Sequence, residues 1–390
     1  MQEVKIQFYN FRIDDGFQKL DSINPYELEK EFNLKTIIFD VKEKFNIEYI
    51  DSPDCVFIFF SHSILDVSRS LHRFELFNEI NQQLTNTITK KVILYCEDMD
   101  WCRNVFDEKE VEDNFEKFFG SNLNNIQITL ANVNWCFKWQ RLNVSYNLGC
   151  LTYVLNKNIQ ESKQYELTNV DRTKKLFTVN NEPRGTRLYF YKYLIDNNLL
   201  DNFDCSFFFK FQHKQQITWN NVEGGGDTLE ALNDIFPVIT FDNENNDDYY
   251  KKIKIINFPK VTDSYVDVVI ETSLFDKDFY SFSEKSFKSI IAKKPFVILG
   301  SNSTYKGLKE LGFKTYDDLI DVTKLEYGFK EWQFKERVNY FFTSVHKLCN
   351  KDLEYYKNYY ILNKDKIEYN YNHLNELLET QYKEFKNLIL

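Results

Sequence analysis

The sequence lacks the features of a disulfide-rich, zinc-binding or membrane-spanning protein. Its seven cysteines are an odd number, none lies in a Cys-x-x-Cys pair, and its five histidines are far apart. This pattern is typical of free thiols in a reducing compartment. No apolar run approaches the length of about 20 residues that a transmembrane helix needs, and the N-terminus lacks the plan of a signal peptide. We therefore expect a cytoplasmic protein without stable membrane insertion.

A net positive charge is also lacking. The chain has 49 Lys and Arg against 59 Asp and Glu, which gives a formal net charge of −10 at pH 7. A protein that holds nucleic acid mainly through its phosphates is expected to be basic, so this balance disfavours non-specific DNA binding. The length of 390 residues is too great for one ordinary core and suits two domains.

Strand-like apolar runs alternate with helical stretches along the first half of the chain, which predicts a mostly parallel sheet covered on both faces. The predicted strands are residues 4–9, 36–39, 55–60, 91–96 and 126–130. A polar stretch near residues 155–172 predicts a linker, with the domain break within 150–175. We expect an α/β fold with one domain in residues 1–160, a second in 161–345, and a helical segment in 346–390.

Residues 271–300 form the unit around which the rest of the chain is organised. An apolar strand at 266–270 leads into a polar loop, a short helical pattern and a second apolar strand at 295–299. This is the strand–loop–helix–strand unit of an α/β sheet. Residues 301–304 follow Gly300 and are candidates to line the same site.

The start of this helix carries the candidate chemistry. A helix N-terminus attracts anions, and either Ser281 or Ser283 can cap it; Ser281 and Glu284 have the spacing of a capping box. Lys285 places a cation where the helix itself disfavours one, which a bound diphosphate would explain. Glu284 is suited to accept hydrogen bonds from sugar hydroxyls. The alternative is a capped helix with two solvated charges.

Two further positions follow predicted strands. The turn after the strand at 175–179 contains Arg184 and Arg187, and two guanidinium groups there would suit an anion, with a solvated or salt-bridged pair as the alternative. In the first domain Glu97 follows the strand at 91–96 and is the candidate general base, with a helix cap or a solvated charge as the alternative. Asp98 and Asp100 would suit Mg²⁺ or Mn²⁺.

Together these stretches resemble the donor-binding motifs of the α1,3-fucosyltransferase family. In that family a strand ends in Glu-Asn-Ser, Thr-Glu-Lys opens a helix, and a Pro-bearing strand ends in Gly. The matching residues are 271–273, with Thr272 in place of Asn, then 283–285 and 295–300. The family also has Ser-Asn followed by Arg six residues after the Asn. Asn181 and Arg187 keep that spacing, with Asn180 in place of Ser.

The resemblance implies a GT-B-like glycosyltransferase with two Rossmann-like domains, residues 1–160 and 161–345, facing across a cleft. By the same analogy, the helices of residues 346–390 would pack back toward the first domain. The enzyme would invert the anomeric centre without a metal or cofactor, with Glu97 activating the acceptor, as in the similar Tyr-Thr-Gly-Glu-Asn strand of the family. The donor would be a nucleotide-diphosphate sugar, fucose-like or other, with GDP among the candidate nucleotides. The implied donor-binding residues are Asn181, Arg184, Arg187, Glu271, Ser283, Glu284 and Lys285.

The acceptor and two alternative functions stay open at this point. The acceptor could be a glycan, a protein or a modified nucleobase. A metal-dependent glycosyltransferase that uses Asp98 and Asp100 is the first alternative. A non-catalytic nucleotide- or glycan-binding protein on the same fold is the second.

Overall fold

The computed structural model describes the greater part of the chain in segments. These are residues 6–12, 16–19, 55–60, 78, 81, 91–96, 108–131, 133–135, 143–147, 151–180, 185–207, 256–271, 279–326 and 331–389. The chain divides into two compact units, one of residues 1–153 with 377–390 and the other of residues 154–376. The predicted three-part organisation stays a prediction.

The first unit contains a six-stranded sheet in which only the β1–β2 pair is antiparallel. Its elements are β1 (Ile6–Arg12), β2 (Gly16–Lys19), β3 (Cys55–Phe60), β4 (Lys91–Cys96), α1 (Glu108–Phe119), β5 (Ile126–Ala131), β6 (Val133–Trp135) and β7 (Asn143–Asn147). The sheet order is β2-β1-β3-β4-β5-β7. The near-continuous apolar sequences of β3 and β4 are typical of strands covered on both faces.

The second unit contains a four-stranded parallel sheet in the order β12-β10-β8-β9. Its strands are β8 (Lys174–Asn180), β9 (Phe203–Phe207), β10 (Ser264–Ile270) and β12 (Phe296–Leu299), with a short strand β11 (Phe279–Ser281) outside this sheet. The helices from residue 151 onward are α2 (Leu151–Ser162), α3 (Gly185–Asp196), α4 (Phe258–Val261), α5 (Glu284–Ile291), α6 (Thr304–Glu310), α7 (Glu331–Cys349), α8 (Leu353–Leu362) and α9 (Lys364–Ile389). A mixed α/β fold with parallel sheets is therefore confirmed.

The core of the second unit surrounds β10. Every residue of β10 and β12 is buried, as the apolar sequences predicted. Helix α5 buries Phe287, Ile290 and Ile291, the three residues that the sequence placed on one face. From α8, Tyr360 packs edge-on against Tyr265 of β10, with ring centroids 6.2 Å apart. This layer of aliphatic and aromatic side chains holds the central strand rigidly in place.

A buried charge cluster lies toward the amino ends of the same strands. Lys294 is 1% exposed, forms an ion pair with Asp267, and donates to the Val261 carbonyl (2.9 Å) and the Ser264 hydroxyl (2.7 Å). Arg172 is also buried and donates to the Ser264 carbonyl (2.6 Å). Because every one of these charges is removed from water, the cluster contributes to folding only while its partners are complete.

No described helix is both long and apolar enough to cross a membrane.

Candidate functional site

The candidate site lies at the carboxyl edge of the second sheet. Ile270 of β10 pairs with Leu299 of β12, and Asn180 of β8 pairs with Phe207 of β9, so all four strands end at this edge. Ligands of open parallel sheets bind beyond the carboxyl ends of the strands. The first residue after β10 is Glu271, which places the predicted motif at the expected edge.

Glu271 joins the end of β10 to the start of α5. Its carboxylate, 3% exposed, accepts from the Ser283 N–H (3.2 Å) and the Ser283 hydroxyl (2.6 Å), and from the Ser286 hydroxyl. Ser283 is the N-cap, and its Oγ accepts from the Lys285 N–H at 3.3 Å. The predicted capping box of Ser281 and Glu284 is wrong, because Ser281 is the last residue of β11 and the helix begins at Glu284.

The acid of a capping box normally lies three residues after the cap and accepts the N–H of the cap residue. Here Glu271 does this from the neighbouring strand. Its negative charge also lies at the positive end of the α5 dipole, which is favourable. The helix start that was predicted to attract an anion is therefore already in contact with a carboxylate of the protein, and an added diphosphate would need a further cation.

Replacing Glu271 by Gln is expected to lower the free energy of unfolding by about 1–3 kcal/mol, because hydrogen bonds to a charged acceptor become bonds to a neutral one. Denaturant unfolding measures this change. Glu310→Gln, at an exposed position in α6, is the matched control and is expected to change the unfolding energy by less than about 0.5 kcal/mol. Equal values for the two variants would contradict the role of Glu271.

The further cation is Lys285. Its Nζ lies 2.9 Å from Oε1 of Glu284, and the two side chains are 15% and 13% exposed. Burial by itself raises the pKa of Glu284, but the ammonium groups of Lys285 and Lys288 and the hydrogen bonds to the carboxylate hold it well below its ordinary value. The two side chains are thus paired with one another and largely covered, which differs from the two solvated charges of the alternative.

Arg187 lies in the first turn of α3 and is 1% exposed. Its Nε and Nη2 donate to the Ile270 carbonyl at 3.3 and 3.1 Å. The guanidinium therefore joins the start of α3 to the residue before Glu271, and this brings the predicted arginine and the predicted helix start to one end of β10. The contact itself is structural, and binding of a diphosphate by Arg187 stays a prediction.

Several predicted residues lie outside the described part of the chain: Glu97, Asp98, Asp100, Asn181, Arg184, Thr272 and Ser273. Strand β4 ends at Cys96, so Glu97 directly follows the carboxyl end of an interior strand of the first sheet. Among the described residues, no group of three His, Cys, Asp or Glu side chains is placed to hold a metal ion.

Ser286 is a site residue that the sequence did not reveal. Its hydroxyl is fully buried and donates to Glu271 from fifteen residues further along the chain. The sequence contained only a weak signal for it. Ser286 lies three residues after the cap Ser283, at the position where a capping box has an acid. A serine at that position indicates that the acid comes from another part of the chain.

Comparison with protein-family models, curated proteins and solved structures finds no match for this chain.

Proposed function

We propose that this protein is an inverting, metal-independent glycosyltransferase of the GT-B class that moves a sugar from a nucleotide-diphosphate donor to an acceptor hydroxyl. One observation carries the proposal. The carboxylate of Glu271 caps the helix that bears Glu284 and Lys285, so the separate parts of the donor motif are in contact at the ligand-binding edge of a parallel sheet.

The proposed reaction is a direct displacement. The acceptor oxygen attacks the anomeric carbon while the bond from that carbon to the diphosphate breaks, and the acceptor proton goes to Glu97 as general base. Lys285 stabilises the charge that grows on the leaving diphosphate. An ammonium has three N–H donors, and the pair with Glu284 uses one of them. Arg187 acts as a positioning residue through its bonds to the Ile270 carbonyl.

Lys285→Ala is expected to weaken donor binding at least tenfold, since a charge-assisted hydrogen bond contributes about 1.5–3 kcal/mol and about 1.4 kcal/mol is a factor of ten. Calorimetry with GDP, UDP and their sugar conjugates measures the affinity. The melting temperature is expected to fall as well, because Glu284 loses the ammonium beside it, so the affinity and not the melting temperature decides the proposal.

The control is Lys309→Ala in α6. Lys309 forms an exposed ion pair with Asp317, so this variant removes the same charge from an exposed position. It should leave donor affinity unchanged. A Lys285→Ala protein with normal affinity and a lowered melting temperature would mean that the lysine is structural and that this proposal fails.

A non-catalytic nucleotide- or glycan-binding protein is the second candidate. The burial of Arg187 favours it, because a covered guanidinium is not available to a leaving diphosphate. Incubation with the donor and a panel of glycan, peptide and nucleobase acceptors separates the two functions. Binding that is accompanied by release of the free nucleoside diphosphate supports the transferase, and binding without release supports the second candidate.

A further inference from the structure

Two buried asparagines stand at the same carboxyl edge with incomplete hydrogen bonding. Asn180, the last residue of β8, is 0% exposed; its Nδ2 donates to the Thr178 hydroxyl (3.1 Å), and its Oδ1 has no partner in the described part of the chain. Asn302, just beyond β12, is 3% exposed, and its Oδ1 likewise has no partner among the described residues. Most buried polar side-chain atoms in proteins have a partner, so two exceptions at one edge need an explanation.

The amide of Asn370 shows the ordinary arrangement. It is 1% exposed, accepts from the Lys314 N–H and donates to the Lys314 carbonyl, both at 2.8 Å. Turning the Asn180 amide over would exchange its two ends and still leave one of them without a partner. The incomplete bonding is therefore a property of the position and not of the orientation chosen for the amide.

The strand register places Asn180 and Leu299, the last residue of β12, on either side of β10, and Asn302 follows Leu299 by three residues. Asp267 is level with Phe177, so Ile270 is level with Asn180, and Ile270 is also level with Leu299. Neighbouring strands lie about 4.8 Å apart, which puts the ends of β8 and β12 about 10 Å from one another. That distance is of the order of a sugar ring with its hydroxyls. Glu271 follows β10 between them.

The loop that carries Asn302 is closely packed. A side chain at Gly300 would place its Cβ 3.0 Å from the Thr304 Cβ, and the Ser301 and Thr304 hydroxyls lie 3.2 Å apart. Ser301, Ser303 and Thr304 are all buried. Because its neighbours are fixed in this way, the Asn302 amide is held in the interior and presents a defined polar group.

The chemistry of these amides differs from that of Lys285. In the orientation found, the unpartnered atom of each amide is its oxygen, which accepts hydrogen bonds; the oxygens of an ionised diphosphate also only accept, so in this orientation the two do not pair. A hydroxyl both donates and accepts and therefore matches an amide in either orientation. We propose that Asn180 and Asn302 form a subsite for the hydroxyl groups of the sugar, separate from the diphosphate contact of Lys285. This inference rests on the proposed function.

Asn302→Leu tests the subsite with two independent measurements. Without ligand, the melting temperature is expected to rise by about 2–4 °C, because a buried amide oxygen without a partner among the described residues is removed and an apolar side chain of similar size takes its place. In calorimetry, the affinity for GDP-fucose is expected to fall at least tenfold while the affinity for GDP changes less than twofold. Asn302→Ala is the second variant and should separate the two ligands in the same way if leucine does not fit.

Asn370→Leu is the matched control, since both ends of its amide are bonded. It should lower the melting temperature and leave the ratio of the two affinities unchanged. If both Asn302 variants bind GDP-fucose like the wild type, the subsite is overturned. In that case the proposed function survives when Lys285→Ala loses both ligands. If the wild type binds neither GDP-fucose nor GDP, both this subsite and its GDP-sugar basis fail.

Discussion

Replacing Lys294 by methionine is expected to lower the free energy of unfolding by about 3–5 kcal/mol, the usual loss when one partner of a buried ion pair is removed. Lys294 is 1% exposed and Asp267 is 5% exposed. The variant would leave the Asp267 carboxylate in the interior without its closest counter-ion, and two further acceptors of the ammonium, on Val261 and Ser264, would lose their donor. Chemical denaturation measures the loss.

The control is Lys293→Met, one residue earlier. Lys293 bonds to Glu368, and the two side chains are 18% and 32% exposed. A partly exposed pair contributes at most about 1 kcal/mol. The double variant Lys294→Met with Asp267→Leu is expected to recover at least half of the loss, because the uncompensated carboxylate is removed as well. Equal losses for the two single variants would show that Lys294 is not in a buried pair.

Lys294 also gives the stability a pH dependence. Burial lowers the pKa of Lys294 to about 8, against an ordinary value of 10.5, although Asp267 opposes the shift. Between these two values the unfolded chain holds a proton that the folded chain has released. The contribution of Lys294 to the free energy of unfolding therefore rises with pH, by up to about 1.4 kcal/mol per pH unit. Below pH 8 both states are protonated and this slope disappears.

The buried thiols have the opposite effect, since they make the free energy of unfolding fall as the pH rises. Burial raises the pKa of Cys205 to about 11 and that of Cys349 to about 12, from 9.0. The folded thiols keep their protons where unfolded thiols lose them, so their contribution to stability falls above about pH 9. The difference in unfolding energy between the wild type and the Lys294 double variant isolates the lysine. We expect that difference to grow in favour of the wild type from pH 8 to 10.

The sequence was sufficient for three of the four strands of the second sheet, β8, β10 and β12, and for the apolar face of α5, but β9 was not predicted. Short apolar runs between polar stretches mark buried strands, and the spacing of Phe287, Ile290 and Ile291 marks one helix face. Ser283 was one of the two predicted caps of α5 and is confirmed, but the capping box of Ser281 and Glu284 was wrong, because that pattern compares residues three apart. The acid that completes the cap, Glu271, directly follows β10 and lies twelve residues before Ser283, and no local spacing contains that contact.

The sequence also did not reveal which charged side chains are buried. Lys293 and Lys294 are identical neighbours, yet one pairs near the surface and the other is enclosed. Arg187 was predicted to be a phosphate ligand because arginine suits phosphate, but its contact in the fold is a main-chain carbonyl. Which partner a charged side chain finds depends on the packing of several elements, and composition and spacing do not encode it.

Glu97→Gln is expected to reduce turnover by about 10²–10⁴-fold, the range for a lost general base. Glu97 directly follows β4, an interior strand of the first sheet, and the carboxyl edge of such a sheet is where ligands bind. Gln keeps the size of the side chain and removes its ability to take the acceptor proton. The affinity for the donor should stay within about twofold, since binding does not need that proton transfer.

Asp98→Asn is the matched control, because it removes a neighbouring negative charge and leaves Glu97 in place. Under the general-base mechanism it should keep most of the turnover, and chelation with EDTA should have no effect. Under the metal-dependent alternative, Asp98→Asn and Asp100→Asn should both abolish turnover, and Mn²⁺ should restore activity that EDTA removes, because carboxylates are the ligands that hard cations prefer. The pH profile adds a third criterion: Glu97→Gln should lose the fall in rate at low pH that protonation of the base produces in the wild type. Full turnover in Glu97→Gln would mean that another residue acts as the general base.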